Sequence, residues 1–111
     1  MSVYVVQENP KKSVHDARRF GELRVIYPAD SQVVLDSDTP AAIAKAKLAT
    51  FSDEDFLLLV GDPVLIGICC MEASHVNGGR VPLLKWDRIE RLYYPVVVDI
   101  NKEGSRERIA G

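Results

Sequence analysis

Phe56-Leu57-Leu58-Leu59-Val60-Gly61-Asp62-Pro63 is the stretch on which the fold turns. Five apolar residues follow one another with no polar alternation. A strand of that kind is at home inside a sheet covered on both faces. Gly61-Asp62-Pro63 then reads as a strand-to-helix turn, with Asp62 as capping residue and Pro63 at the first helical position. The next residues, 64–76, are apolar nearly all round: Val64, Leu65, Ile66, Ile68, Cys69, Cys70 and Met71. Such a helix is either deeply packed or covered by a partner chain. Gly67 inside it costs about 1 kcal/mol against alanine, which predicts close backbone packing at that point.

On the amino-terminal side, residues 3–7 form a short β-branched and aromatic run, ended by Asn9-Pro10-Lys11-Lys12. Ser13 and Asp16 stand in a capping-box-like spacing, and Val14, Ala17 and Phe20 fall at helical intervals before Gly21. A short helix is therefore predicted over 14–20 and a second strand over 23–27. Residues 32–35 suit a further short strand or an extended connection. Asp36-Ser37-Asp38-Thr39-Pro40 is a strong helix start, followed by an apolar stripe of Ala41, Ala44, Leu48 and Phe51.

On the carboxyl-terminal side, residues 81–86 and 92–100 read as two strands around the polar turn Asp87-Arg88-Ile89-Glu90-Arg91. Pro95 removes a ladder donor and so favours an edge position or a bulge. The alternation of strands and helices predicts an α/β domain: a mostly parallel central sheet of four to six strands, about three helices, and a C-terminal antiparallel hairpin. One domain is expected over residues 1–100, with a polar, flexible tail over 101–111.

The totals agree with a single small domain. The chain has 111 residues, 47% hydrophobic and 27% charged, with a formal net charge of −2. That balance disfavours a nucleic-acid-coating role. The longest apolar run is too broken to span a bilayer, and the amino terminus lacks signal-peptide features. A cytoplasmic protein is expected. The two cysteines, Cys69 and Cys70, are adjacent. Neighbours on a helix point about 100° apart, so they form no ordinary disulfide there and read as small apolar groups. No ligand set spaced for a metal is present, and no cofactor is expected.

Four stretches are candidates for function. Gly61 and Asp62 lie at a strand's carboxyl end, where open α/β sheets bind ligands, but the loop has one glycine and no P-loop lysine, and Asp62 would repel phosphate. Turn and cap chemistry explains them without a ligand. Trp86, Arg88, Arg91, Tyr93 and Tyr94 gather on the predicted hairpin and are of the types enriched at interface hot spots. The plain alternative is a cross-strand aromatic pair with solvated charges. Lys11, Lys12, His15, Arg18 and Arg19 form the one basic cluster, which could touch nucleic acid backbone or an acidic protein surface, or simply face solvent as a helix face of this length more often does. For catalysis, His75, Cys69, Cys70, Asp16, Asp30, Asp53, Asp62 and Asp99 show no legible triad or dyad order, and catalytic residues are expected to be none.

The blocks Leu58-Leu59-Val60-Gly61-Asp62-Pro63-Val64-Leu65-Ile66-Gly67, Leu84-Lys85-Trp86-Asp87-Arg88 and Tyr94-Pro95-Val96-Val97-Val98-Asp99 resemble a family of short uncharacterised proteins of tailed bacteriophages. The opening Tyr4-Val5-Val6-Gln7-Glu8-Asn9-Pro10 and the Ala17 to Gly21 segment fit the same resemblance, which covers most of the chain. It implies a phage origin and supplies no activity or functional residue. The expectation is a non-enzymatic phage accessory protein in the host cytoplasm, binding a host or phage protein through the Trp86 hairpin, with self-association open through the apolar helix over 64–76 or a sheet edge. The alternative is a small-ligand or nucleotide-binding domain using Gly61 and Asp62.

Overall fold

The computed structural model describes residues 1–31 and 38–102. In chain order these form β1 (Ser2–Gln7), a 3-10 helix (His15–Phe20), β2 (Glu22–Tyr27), α1 (Asp38–Lys47), β3 (Phe56–Leu58), α2 (Pro63–Val76), β4 (Arg80–Asp87) and β5 (Leu92–Asp99). The five strands make one sheet in the order β2-β1-β3-β4-β5. Pairing is parallel between β1 and β2, β1 and β3, and β3 and β4, and antiparallel only in the β4–β5 hairpin. The expected α/β domain is therefore the observed one. The predicted strand over 32–35 and most of the predicted tail lie outside the described residues.

The unalternating run at Phe56 sits where its composition demands, in the central strand. Leu57 packs into one apolar cluster with Tyr4, Val6, Leu65, Cys69 and Ala73, under α1 and α2. Leu58 packs into a second cluster on the opposite face with Val3, Val5, Ala17 and Leu84. Val60 continues the pairing just past β3, its carbonyl accepting the Gln7 N–H at 3.0 Å. The two clusters are unequal in cover. Two α-helices close the first face. Among the described residues, the second has only the six-residue 3-10 helix, about 12 Å of chain.

The stripe predicted for α1 is met by Ala44, Leu48 and Phe51, all buried, with the Phe51 ring 5.9 Å from that of Tyr4. Ala41 is exposed. The helix predicted over 14–20 is a 3-10 turn without a side-chain cap. Asp16 does not close a capping box, because its carboxylate is drawn away to the start of β5, where its Oδ2 accepts the Tyr93 N–H.

The reading of Gly67 needs correction. A Cβ built there meets nothing within 4 Å, so no neighbouring backbone requires the glycine. Its flexibility is an entropic cost with no packing return. Gly67→Ala is expected to raise stability by about 0.5–1 kcal/mol in chemical denaturation; a loss would mean that the helix is approached more closely than its surroundings indicate.

Candidate functional site

The strand-to-helix turn is built from its own side chains. Asp62 has extended geometry, and its Oδ1 accepts the N–H groups of Val64 at 2.8 Å and Leu65 at 3.4 Å. Gln7, at the end of β1, reaches across the crevice between β1 and β3. Its Oε1 accepts the Asp62 N–H at 2.8 Å, and its Nε2 donates to the Ser31 carbonyl at 3.0 Å and, more loosely, to those of Pro28 and Ala29. Gly61 allows this approach: it has φ +122°, and a Cβ there would stand 2.4 Å from the Gln7 Cβ. The N–H groups of Asp62, Val64 and Leu65, which would greet an anion at this helix start, are thus engaged within the chain. Gln7 carries no sequence signal of this role, since a polar residue ending a strand is ordinary.

The candidate catalytic groups are dispersed. Asp53 bonds Asn77 and Arg80, Asp99 accepts the Asn101 N–H, and Asp16 serves β5. Burial, with Cys70 close by, pushes the Cys69 thiol up to about 12, although a hydrogen bond with Tyr27 pulls it partly back. Burial also raises Cys70. Both are thiols rather than thiolates near neutral pH, which blunts nucleophilic reactivity. Among the described residues no three His, Cys, Asp or Glu side chains gather as a metal site, and no helix is long and apolar enough to cross a membrane.

The hairpin residues divide by face. Trp86 and Tyr93 are directly opposite in the ladder and pack edge to face, with centroids 4.9 Å apart. Tyr93 is only 1% exposed, so as a partner-contacting side chain it leaves the set; its ring belongs to the second core cluster. Trp86 is half-buried beside it. Tyr94 points to the opposite face, as strand alternation requires. Arg88 and Arg91 are exposed at the turn, where the Asp87 carboxylate accepts the N–H groups of Ile89 and Glu90 and Arg91 takes φ 57°. Two of the five residues thus form the cross-strand aromatic pair, and three remain at the surface.

The more informative feature is the outer edge of β5. Beyond the strand's end, the Ile100 N–H donates to the Gly79 carbonyl at 3.1 Å. Alternation then turns the backbone of Val98, Val96 and Tyr94 inward to β4 and that of Asp99, Val97, Pro95 and Tyr93 outward. At Tyr93 the edge is covered, because Asp16 accepts its N–H and Arg19 Nη2 donates to its carbonyl at 2.6 Å. At Pro95 there is no N–H to offer. Val97 is the first outward position whose N–H and carbonyl have no partner among the described residues. Val96, Val97 and Val98 are 36%, 55% and 39% exposed, with no charge among them. The other edge, β2, carries Glu22 and Arg24, as a guarded edge does. Beside β5, an uncharged groove of about 440 Å³ runs between α2 and the hairpin, lined by Met71, Val81, Leu83, Val98 and Ile100 among others. Met71 and Ile100 are 68% and 57% exposed. The valines are visible in the sequence, but which of them face outward emerges only from the ladder.

Comparison with curated proteins and with solved structures finds no match in either set. A family model does match, that of the phage Pam3 gp32-like protein, over residues 1–100, which spans every element from β1 to β5. The chain belongs to the phage Pam3 gp32-like protein family.

Proposed function

We propose that this phage protein is a non-enzymatic accessory factor that binds another protein by accepting a strand along the outer edge of β5. The observation that carries the reading is the unguarded, uncharged run at Val96, Val97 and Val98, beginning where the cover from Asp16, Arg19 and Pro95 ends. An edge strand left open invites main-chain pairing, and alternate side-chain contacts then give specificity. The adjoining groove receives the apolar side chains of the incoming strand. Arg88, Arg91, Tyr94 and the exposed side of Trp86 form the rim at the turn, where charged contacts tune encounter more than affinity. The partner is a host or phage protein presenting an extended apolar segment. A second copy of this chain is the other protein that fits, and light scattering separates the two.

Val97→Pro tests the reading with little disturbance to the fold. It deletes an outward N–H and leaves the inward bonds to β4 intact. Capture from infected-host lysate should recover a protein with the wild-type chain and with Arg88→Ala, and lose it at least about tenfold with Val97→Pro. Equal capture by Val97→Pro, with unchanged circular dichroism, would remove the β5 edge from the interface.

A further inference from the structure

We propose a second binding site, for a small phosphate monoester with an apolar body, in the groove over β1 and β2 on the face that the 3-10 helix leaves partly open. Its floor is Val5, Leu23 and Val25, and its volume is about 530 Å³, within the range of small-ligand sites. Val25 is 43% exposed because the 3-10 helix packs its Ala17 and Phe20 near Val3 and Phe56 and reaches no further.

The rim is basic. Lys11, Lys12 and Arg18 line the groove with His15, against one carboxylate, Glu8. Two lysines and an arginine against one glutamate give a formal local charge of +2 in a chain whose net charge is −2. Arg19, Arg24 and Arg80 each have an acidic partner; among the described residues Lys11, Lys12 and Arg18 have none. That surplus complements a phosphate monoester, which carries roughly −1.5 to −2 near pH 7. The loop holding the lysines is shaped in advance: Asn9 accepts the Lys11 N–H on its side chain and the Lys12 N–H on its carbonyl, each at 3.0 Å. The loop follows the carboxyl end of β1, and the sheet order β2-β1-β3-β4-β5 is one in which ligands sit outside the strand ends at the β1/β3 switch. An adjoining cavity of about 540 Å³, sharing Glu8, Asn9, Pro10 and Lys12, continues toward that switch at Val60 and Gly61. No Phe, Tyr or Trp side chain lines either cavity, and the His15 imidazole is the one ring at the rim, which is less than the row of stacking aromatics that single-stranded nucleic acid takes.

Titration of the ¹⁵N-labelled full chain with hexyl phosphate, inorganic phosphate and hexanol tests the site. Hexyl phosphate should give saturable shifts at Lys11, Lys12, Arg18 and Val25, and bind at least about tenfold tighter than either fragment alone. Lys12→Ala combined with Arg18→Ala should weaken it about tenfold or more, whereas Lys45→Ala, on exposed α1 surface, should not. Val25→Ser should weaken hexyl phosphate and leave inorganic phosphate unchanged. All these side chains are solvent-facing, and shifts on the wild-type chain give a readout independent of the variants. Equal binding of hexyl and inorganic phosphate, absence of saturable shifts, or displacement by a single-stranded oligonucleotide that binds more tightly would each overturn the proposal.

Discussion

Gly61→Ala is expected to destabilise the protein by about 3 kcal/mol or more, combining backbone strain with a forced overlap. At φ +122° an L-residue is strained whatever space surrounds it, and here there is none. The new Cβ would stand 2.4 Å from the Gln7 Cβ and 2.7 Å from its Oε1. The Gln7 Cβ is fixed by the β1 backbone and cannot rotate away. Moving the whole side chain would release the Asp62 N–H and the carbonyls of Pro28, Ala29 and Ser31 together. Gln7 is also 7% exposed, so groups released there are poorly served by water. Such a loss is a large share of the 5–15 kcal/mol typical of a small domain. Urea denaturation should show a much lower midpoint, or no folded baseline. A wild-type midpoint would mean that β1 and the turn do not approach as closely as described.

Stability should also fall steeply above pH 9. The Cys69 thiol, fully buried against Tyr27 and α2's own neighbours, is pushed from 9.0 up to about 12, mainly by burial. Burial, with Cys69 nearby, likewise raises the Tyr27 hydroxyl well above its ordinary 10.0. In the unfolded chain each group loses its proton near its ordinary value, while the folded chain still holds it. The unfolded state then binds fewer protons, so stability declines as pH rises, by about 1.4 kcal/mol per pH unit for one such group. The contribution is complete below pH 9, is lost through the window up to about 12 for Cys69, and is joined by Tyr27 above pH 10. Urea midpoints at pH 8, 9.5 and 10.5 measure it, and Cys69→Ala should flatten the slope below pH 10. A wild-type profile level to pH 10.5 would show that these groups are more accessible than their burial implies.

The features that local chemistry controls were legible in the sequence. The unalternating run at Phe56 marks the central strand, because only a strand covered on both faces tolerates it. Asp62 and Pro63 mark the start of α2, because capping involves residues two and three positions apart. Pro95 marks an edge strand, because its missing donor is costly anywhere else. What escaped depends on contacts across the chain. Asp16 has the spacing of a capping box, yet it bonds Tyr93, far away in sequence. Gly67 looks like a packing glycine and faces open space. Tyr93 and Tyr94 are neighbours of one type, and ladder parity buries the first ring and leaves the second half-exposed. The hairpin's aromatic pair is structural, and the open surface lies three residues further along β5.

Amide hydrogen exchange at Val97 separates strand addition from every other mode of binding at this hairpin. In the free chain, Val97 should exchange quickly while Val96 and Val98, bonded inward to β4, are slow. With the partner bound, Val97 should gain at least about tenfold protection, since its N–H would then lie in a ladder. Protection gained at Arg88 to Arg91 with Val97 still exchanging freely would place the interface at the turn, and strand addition at β5 would have to be abandoned.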